Sequence, residues 1–586
     1  MTHFEQTVHR YLTHLYGPRA GEVQRRIGQH IAHFQSVSRT APPASKANQN
    51  APTWSEKDQW VICYGDSIVA ENAPPLVVLD TFLQRYLKNS ISGVHVLPFF
   101  PWSSDDGFSV IHYREVNSEL GEWEHLQTLA SHYDLMADLV LNHVSRESLW
   151  FVDYLTGSLP GRDYFIEVDP DTDVSQVTRP RSSPLLVPIS TRRGTRHVWA
   201  TFSEDQIDLN FENPDVLLEF VGILLFYLQQ GVRMIRLDAV AFLWKRLGTS
   251  CIHLPETHTV VRLLRAIVDE VAPGTLLITE TNVPHAENIS YFGLERLAEG
   301  SPDEAHMVYQ FALPPLLLHT LTRGEATTLQ AWLTSLPALP EHCTYLNFTA
   351  SHDGIGVRPL EGLLPDHERD ALLELMHRFG GFVSMRSNPD GSDTPYEINI
   401  TWFEAMRGTR RGPDPWQIAR FLCSQAIMLS LQGIPALYIH TLTGTLNDVE
   451  GVERSGRLRS INRRRWQLNE LTLLLESPST PTHDVFHALH RLLEQRRQEP
   501  CFHPNAAQRV IETPPELLAI ERGPLSNGRR LLALYNVTDG TFDLTQAGEA
   551  LNQALTQHNW QSLDPLTPQH EATLPPYAVR WLVAEA

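Results

Sequence analysis

Short apolar runs alternate with amphipathic segments along most of the chain, beginning at about residue 58. Eight of these runs are predicted to be β-strands: "WVICYGDSIV", "GVHVLPFF", "LMADLVLNH", "VRMIRLDAV", "TLLITE", "HMVYQF", "TYLNFTASHD" and "IPALYIH". Several are almost continuously apolar, as strands buried on both faces should be. Segments with the apolar spacing of helices lie between most of them, such as 214–230 and 257–271. Eightfold alternation of strand and helix predicts an α/β fold, a (β/α)8 TIM barrel.

The rest of the chain defines the predicted domain organisation. Residues 1–57 are expected to form an N-terminal helical extension and a linker, "SRTAPPASKANQNAPT". Residues 58–480 are assigned to the barrel, which carries two long insertions, 144–213 after the third strand and 354–405 after the seventh. Both insertions leave the C-terminal face, where such barrels keep their active sites. Residues 481–586 are predicted to form a helix and a small β-domain that includes "LLALYNVT" and "YAVRWLVAE".

The composition is that of a soluble globular protein, with 42% hydrophobic and 20% charged residues. A formal net charge of −21 argues against nucleic acid or an anionic membrane as a partner. The five cysteines are scattered and suggest neither a zinc site nor a disulfide framework. Without a signal-peptide pattern or an apolar run of membrane-spanning length, the expected compartment is the cytoplasm. The oligomeric state stays open, a homodimer included.

Polar residues stand at the ends of four predicted strands: Asn142 and His143, Arg236 and Asp238, Glu280, and His352 and Asp353. An isolated Arg-x-Asp in a buried strand is usually a structural ion pair, but packing alone hardly explains four such strand ends. In a barrel these groups converge on one mouth. Close carboxylates push one another's pKa values apart, a cost tolerated mostly for catalysis or metal binding.

A metal site is the structural alternative for the three carboxylates Asp238, Glu280 and Asp353. Arg236 beside Asp238 argues against it, because a fixed cation repels a second cation. Two carboxylates that flank a bond, with an arginine to hold one ionised, fit glycosyl transfer by a nucleophile and a general acid/base. No GxGxxG or P-loop motif indicates an organic cofactor, so neither a cofactor nor a metal is expected.

The motifs "DLVLNH", "IRLDAV", "ITET" and "SHDG", in that order and spacing, resemble the four conserved regions of the α-amylase superfamily, family 13 of the glycoside hydrolases. "QIDLN" resembles its fifth region, beside the insertion called domain B. "IRLDAVAFLWKRLGTSCIHLPETH", "VYQFALPPLLLHTL" and "INRRR" resemble the sucrose phosphorylase branch. Within that branch, "PFFPWSSDDGFSVIHY", "ITETNVPHAENISYFG" and "TPYEINIT" most resemble 2-O-α-D-glucosylglycerate phosphorylases, which release α-D-glucose 1-phosphate and D-glycerate.

The resemblance implies a role for each residue of the donor side. Asp238 would be the nucleophile that forms a β-glucosyl-enzyme, Glu280 the acid/base, and Arg236 the group that keeps Asp238 ionised. Asp353 with His352 would bind the 2- and 3-hydroxyls of the glucose, and His143 its 6-hydroxyl. Asp105 and Arg459 would pair across the end of the glucose pocket and close it, and Phe108 and Phe202 would flank the cationic carbon.

The acceptor side must hold glycerate and phosphate in turn, and both are anions. By the resemblance Arg179 and Arg181 match the basic pair of the branch, with Arg181 as the anion-binding residue. Tyr396 and Glu397 occupy the place of a Tyr-Gln pair in sucrose phosphorylases, and Glu397 would bind vicinal hydroxyls of a small acceptor. Asn282 replaces a histidine found there in sucrose phosphorylases. These departures argue against sucrose as the donor.

The resemblance implies a glycoside phosphorylase whose partners are small molecules: a glucosyl glycoside, inorganic phosphate and glycerate. A glucosylglycerol phosphorylase, a sucrose or sucrose 6'-phosphate phosphorylase and a retaining α-glucosidase are the alternatives. A non-catalytic amylase-like transporter partner is disfavoured, because such proteins lose catalytic carboxylates, span a membrane, or both. The amylase calcium site is not expected, although Asn142 matches one of its ligands.

Overall fold

The predicted (β/α)8 TIM barrel is confirmed by the structure, a computed structural model that describes residues 1–38, 54–293, 302–388, 392–563, 566 and 572–585. Eight parallel strands close into a barrel, each beside its neighbours in chain order and the first beside the last. They are β1 (Trp60–Cys63), β2 (Gly93–Val96), β3 (Asp134–Val140), β4 (Val232–Asp238), β5 (Leu276–Thr279), β6 (Met307–Tyr309), β7 (Thr344–Asn347) and β8 (Ile434–Tyr438).

The longest barrel strands, β3 and β4, bring charged side chains together across the sheet. Both have seven residues and are buried along almost their whole length. Their parallel register places Asp138 opposite Arg236, and Asp238 follows two residues later at the end of β4. Because β5 runs parallel to β4 and ends level with it, Glu280 lies at the same edge of the barrel. The register therefore collects the polar strand ends at the carboxyl mouth.

Eighteen α-helices lie in the described part of the chain. In chain order they are α1 (His3–Tyr16), α2 (Ala20–Ser38), α3 (Pro75–Tyr86), α4 (Trp123–His132), α5 (Leu149–Thr156), α6 (Pro214–Gln229), α7 (Pro255–Val271), α8 (His285–Asn288), α9 (Leu313–Arg323), α10 (Thr327–Ser335), α11 (Asp366–Arg378), α12 (Trp402–Ala405), α13 (Gln417–Ser430), α14 (Ile439–Leu442), α15 (Val449–Ser455), α16 (Leu468–Glu476), α17 (Pro481–Gln498) and α18 (Glu549–Gln557). Proline stands in the first turn of α3, α6, α7, α9 and α17. There its missing N–H costs no helical hydrogen bond.

The two long insertions each carry a small sheet above the barrel mouth. The first contains α5, a hairpin of Leu186–Thr191 with Gly194–Trp199, and the pair His143–Ser145 with Gln206–Asp208. The second contains α11 and a three-stranded sheet of Ile355–Gly356, Asp393–Asn399 and Phe382–Ser387, with the middle strand pairing with both others. Both therefore start at the carboxyl ends of barrel strands, β3 and β7, next to the polar cluster.

The N-terminal extension is held against the barrel helices. Helix α1 lies against α7, and α2 lies against α6. The Tyr11 hydroxyl donates to Asp303 Oδ2 at 2.9 Å, and Arg26 of α2 forms an ion pair with Asp215 of α6. The predicted linker lies, apart from Ser38, outside the described residues.

The C-terminal part contains the predicted helix, α17, followed by a five-stranded antiparallel sheet. Its strands, in spatial order, are Gln508–Ile511, Leu517–Arg522, Arg530–Asn536, Val579–Ala584 and Gln561–Ser562. The two strands predicted here lie next to each other in the middle of the sheet. Over the part of the chain that the structure covers, no helix is both long and apolar enough to cross a membrane.

Arg496 on α17 connects the C-terminal part to the barrel. Its guanidinium is buried and donates hydrogen bonds to the backbone carbonyls of Glu56, Asp58, Leu429, Gly433 and Phe502. These carbonyls belong to the segment before β1, to the end of α13 and the turn that follows it before β8, and to the start of the C-terminal domain. One side chain thus satisfies buried acceptors from three parts of the chain.

We expect Arg496→Leu to lower the thermal midpoint by several degrees, because several buried carbonyls lose their donor at a cost on the order of 3 kcal/mol. Differential scanning calorimetry at a fixed scan rate measures the shift. Arg491→Leu is the matched control, since Arg491 lies on the exposed face of the same helix. Equal midpoints for the two variants would contradict this role of Arg496.

Candidate active site

A cavity of about 780 Å³ opens at the carboxyl mouth of the barrel. All fourteen residues predicted for the site line it: Asp105, Phe108, His143, Arg181, Phe202, Arg236, Asp238, Glu280, Asn282, His352, Asp353, Tyr396, Glu397 and Arg459. They come from β4, from the segments that follow β2, β3, β5 and β7, and from the loop after α15. Tertiary structure thus gathers residues up to several hundred positions apart into one pocket.

The Arg236 guanidinium lies between two carboxylates at the base of this cavity. Its Nη1 donates to Asp238 Oδ1 at 2.6 Å and to Asp138 Oδ1 at 2.5 Å. The second oxygen of Asp138 contacts His95 Nε2 at 2.7 Å, and all four side chains are buried. The rings of Phe108 and Tyr309 lie against the guanidinium, with centroids 5.6 and 5.8 Å from its carbon. Arg236 is therefore fixed from several sides, in an orientation that presents a donor to Asp238.

Asp138 and His95 are two residues of this cluster that the sequence motifs did not indicate. Asp138 lies inside the apolar run of β3, and a lone acid in a buried strand was the signal that could have indicated it. Burial acts to raise the pKa of Asp138, but His95 and Arg236 outweigh it and the pKa is lowered. Asp138 is thus an ionised partner that helps to neutralise Arg236.

Asp238, which is buried, and Glu280, which is half-buried, form a pair of carboxyl groups at adjacent strand ends. Burial raises the pKa of Asp238, the charge of Glu280 raises it further, and Arg236 opposes both. Burial also raises the pKa of Glu280. The charge of Asp353 raises this pKa further, and Arg236 opposes the rise. Glu280 Oε2 accepts a hydrogen bond from the backbone N–H of Ala239 at 3.0 Å. Two neighbouring carboxyl groups with raised pKa values favour a state in which one of them is protonated and the other is ionised. Acid/base chemistry requires this arrangement.

Arg459 joins Asp353 and Glu397 across the upper part of the cavity. Its Nη1 is 2.6 Å from Asp353 Oδ1, and its Nε and Nη2 each donate at 2.9 Å to one oxygen of Glu397. Burial acts to raise the pKa values of both acids, but Arg459 outweighs it and both are lowered. Asp353 and Glu397 are therefore ionised, and Glu397 is held by a bidentate pair.

The predicted pairing of Asp105 with Arg459 is wrong. Asp105 Oδ2 accepts instead from Gln206 Nε2 at 3.3 Å, and the neighbouring Asp106 forms the ion pairs, with Arg457 and Arg463. Asp105 and Asp106 both have positive φ, 54° and 47°, so this turn directs the two carboxylates differently from an extended chain. Asp105 and Arg459 still line the same cavity.

Two imidazoles contribute neutral hydrogen-bonding groups to the cavity. Burial lowers the pKa of His143 and lowers that of His352 well below its ordinary value. His143 Nε2 lies 2.9 Å from the carbonyl of Phe108, and the Phe108 ring stacks on His352 with centroids 4.9 Å apart. The Phe202 ring lies 5.2 Å from that of His143. Uncharged imidazoles between aromatic rings suit hydroxyl groups of a sugar better than an ion.

Arg181 is a further cation that lines the cavity. Its guanidinium lies over the ring of Tyr396 at 4.9 Å and near that of Phe202 at 5.9 Å. Its Nη1 donates one long hydrogen bond, 3.5 Å to the Pro180 carbonyl, and no carboxylate among the described residues pairs with it. An arginine held by rings, with its donors unused, is suited to bind an anion.

Lys245 occupies the position near Asn142 where a cation could otherwise bind. Its Nζ lies 2.6 Å from Asn142 Oδ1 and 2.6 Å from Asp208 Oδ2, and all three residues are buried. The ammonium group takes up the oxygens that a calcium ion would need, so these residues do not fit a metal. Within the described ranges no group of three or more histidine, cysteine or acidic residues is placed to hold one.

We expect Glu280→Gln to raise the thermal midpoint near neutral pH. Burial raises the pKa of Glu280 above its ordinary 4.5, so the group contributes stability in full below that pH and loses it as pH rises through the raised pKa. Glutamine escapes this loss. Melting curves from pH 5 to pH 8 should show a gain that grows with pH, and the exposed Glu374→Gln on α11 is the control. A pH-independent gain would contradict the explanation.

Comparison with known proteins supports the likeness seen in the motifs. Residues 83–354 match the alpha-amylase family, described as "Alpha amylase, catalytic domain". The chain is 43% identical to glucosylglycerate phosphorylase of Escherichia coli over 95% of its length and 99% of that protein. It is 44% identical to glucosylglycerate phosphorylase of Allomeiothermus silvanus over 93% of its length and 95% of that protein.

The structure resembles that of sucrose 6F-phosphate phosphorylase from Thermoanaerobacter thermosaccharolyticum. The TM-score is 0.71 at 25% sequence identity, over 84% of this chain and 96% of that one. The barrel, the site at its mouth and the near full-length identity agree. The chain therefore belongs to the alpha-amylase family, in the branch that contains these phosphorylases.

Proposed function

We propose that the chain is a retaining glycoside phosphorylase that cleaves 2-O-α-D-glucosyl-D-glycerate with inorganic phosphate. The products are α-D-glucose 1-phosphate and D-glycerate. The observation that carries the proposal is the pair Asp238 and Glu280, in which only Asp238 takes a hydrogen bond from the Arg236 cation. The relatives named glucosylglycerate phosphorylase, 43% and 44% identical over nearly the whole chain, support the choice of substrate.

Asp238 acts as the nucleophile in the first displacement. Of the two acids only Asp238 accepts a hydrogen bond from Arg236, so we assign the carboxylate to Asp238 and the proton of the pair to Glu280. Asp238 attacks the anomeric carbon of the glucosyl group and forms a β-glucosyl-enzyme, while Glu280 protonates the departing O2 of glycerate. The C–O bond to glycerate breaks as the bond to Asp238 forms.

In the second displacement phosphate enters from the side on which glycerate left. A phosphate oxygen attacks the anomeric carbon, the bond to Asp238 breaks, and Glu280 as carboxylate takes up a proton if the phosphate carries one. Two inversions retain the α configuration. Arg181, which has no carboxylate partner among the residues described, neutralises the incoming dianion.

The donor subsite holds the glucose through the remaining groups of the cavity. Asp353 and His352 bind the 2- and 3-hydroxyls, His143 binds the 6-hydroxyl, and Phe108 and Phe202 flank the developing cation. Asp105 and Arg459 delimit the end of the subsite, although they do not pair. Both oxygens of Glu397 accept hydrogen bonds from Arg459, so the main effect of Glu397 is to position Arg459 and, through it, Asp353. A hydroxyl of the acceptor can donate to a remaining lone pair of Glu397.

The cytoplasm is the proposed compartment. All five cysteines are free and buried, and a protein that keeps its thiols unpaired suits a reducing compartment. The substrates are then small molecules of the cell interior.

A panel of donors tests the proposal directly. Purified protein is incubated with glucosylglycerate, glucosylglycerol and sucrose, each with and without phosphate, and glucose 1-phosphate is measured. We expect glucose 1-phosphate from glucosylglycerate only when phosphate is present. Release of free glucose at the same rate without phosphate would indicate an α-glucosidase instead, and faster phosphorolysis of glucosylglycerol would reassign the acceptor.

We expect Asp238→Ala and Glu280→Ala to respond differently to the leaving group. Glu280→Ala should lose about 10²–10⁴-fold in kcat/KM on glucosylglycerate. The same variant should still be glucosylated by α-D-glucosyl fluoride, because fluoride leaves without a proton. Asp238→Ala should lose turnover of both donors by several powers of ten.

The pH profiles of the native protein provide the control for these roles. The kcat/KM for glucosylglycerate should fall as pH rises through the raised pKa of Glu280, since the acid form is needed. For the fluoride this alkaline decline should be absent. If Glu280→Ala were equally inactive on both donors, Glu280 would not be the general acid.

We expect Arg181→Gln to lower kcat/KM for phosphate by about ten- to a hundredfold, the cost of a lost charge-assisted hydrogen bond. Glucosylation by α-D-glucosyl fluoride should change little, because no anion is bound in that step. Arg192→Gln makes the same change of net charge at an exposed position and serves as the control. An equal effect of the two variants would assign the result to the overall field of the protein rather than to the site.

A further inference from the structure

A second cavity, with about 470 Å³ of empty space, lies beside the first. Its lining includes three arginines, Arg179, Arg358 and Arg386. Phe202, Ala239, Glu280, Asn282 and Tyr396 line both cavities. The two cavities therefore meet at the acid/base carboxyl group, and the second one is not accounted for by the roles assigned so far.

The second cavity lies on the leaving-group side of Glu280. The groups that hold the glucose line the first cavity and are missing from the second: Asp105, His143, Arg236, Asp238, His352, Asp353 and Arg459. Glu280 gives its proton to the oxygen of the departing acceptor, so the acceptor lies on the side of Glu280 away from the glucose. The part of the acceptor beyond this oxygen can thus extend into the second cavity.

Three arginines line this cavity, and Glu280 is the one carboxylate among the described residues that does so. Arg179 donates to the Ser183 carbonyl and pairs with no acid in the described part of the chain. The protein carries a net charge of −21, so an anionic ligand needs cations close by to offset the overall field. A cavity with three cations next to the acid/base group supplies them.

Arg358 has donor capacity that the protein leaves unused. Its Nε is buried and has no acceptor among the described residues, and its charged contact is a long one, 3.8 Å to Glu287 Oε2. Glu287 also lies 3.1 Å from His253 Nε2, and its side chain is 43% exposed. An acceptor brought by a ligand would satisfy Arg358 better than this partner does.

Arg386 reaches the cavity from the sheet of the second insertion. Its Nε donates to Thr394 Oγ1 at 3.1 Å and its Nη2 to Glu361 Oε1 at 2.9 Å. Glu361 is 47% exposed, so water screens this pair. Asn282, between the two cavities, packs tightly against Gly356, where an added Cβ would lie 2.6 Å from its Nδ2. This contact holds the start of the second insertion, and with it Arg358, close to the acid/base segment.

We propose that the second cavity is the subsite for the carboxylate of the acceptor, with Arg358 and Arg386 as its binding cations and Arg179 at its edge. The inference rests on the proposed function and names the residues that select the acceptor. In glycerate the carboxylate is bonded to the carbon that carries O2, so a carboxylate next to the oxygen protonated by Glu280 points to the arginines. Glycerol has an uncharged hydroxymethyl group at this position and gains no charge-assisted hydrogen bond there.

The reverse reaction tests this subsite with the donor held constant. Glucose 1-phosphate is supplied with D-glycerate, with glycerol or with water as the acceptor, and release of phosphate is followed for native protein, Arg358→Gln and Arg386→Gln. Each variant should lose about ten- to a hundredfold in kcat/KM for glycerate and keep its rates with glycerol and water. Arg358→Lys should recover part of the loss. Arg192→Gln, an exposed change of the same charge, should keep all the rates.

The outcomes separate this inference from the proposed function. Equal losses with all three acceptors would show a structural role, and no loss with glycerate would remove the arginines from the subsite; either overturns the inference alone. A raised KM for phosphate in the forward direction with unchanged use of glycerate would make this the phosphate site and also overturn it. If the native protein transferred no glucose to glycerate, the proposed function and the inference would both fall. Turnover of α-D-glucosyl fluoride by each variant confirms that it is folded.

Discussion

The buried cation of Arg236 is the feature on which the site depends. A guanidinium in the centre of a barrel is costly unless carboxylates neutralise it, and here the parallel register of β3 and β4 supplies them. Asp138 balances the charge from the neighbouring strand, while Asp238 takes the remaining hydrogen bond at the mouth. The same contact that makes the burial of Arg236 tolerable also orients the proposed nucleophile and opposes the rise in its pKa.

Five acids at or below the barrel mouth differ in pKa because different charged residues contact them. Asp138, Asp353 and Glu397 are each contacted by arginine or histidine strongly enough to lower their pKa values in spite of burial. Asp238 and Glu280 have raised pKa values because burial and the charges of neighbouring acids outweigh the opposing effect of Arg236. Acids with lowered pKa values bind and orient, whereas the pair with raised values can exchange a proton.

The two insertions supply the arginines that we propose bind anions at the mouth of this common barrel. The first supplies Arg179 and Arg181, and the second supplies Arg358 and Arg386 together with Tyr396 and Glu397. The proposed nucleophile and acid/base, Asp238 and Glu280, stand at the ends of barrel strands. The arginines proposed to bind phosphate and a carboxylate come from chain that lies outside the barrel, and they offset the field of an acidic protein.

The sequence by itself determined the barrel and the location of the site. Eightfold alternation specifies the strands, and because the carboxyl ends of parallel strands meet at one mouth, polar groups such as Asp238, Glu280 and Asp353 had to converge. It could not determine which side chain meets which. The turn at Asp105 and Asp106, both with positive φ, places Asp106 against Arg457 and Arg463 and leaves Asp105 without the predicted pairing to Arg459. Neighbours distant in sequence decide the partners of Arg236 and Lys245. Ion pairs form over a few ångströms, and only the folded paths of the loops set distances on that scale.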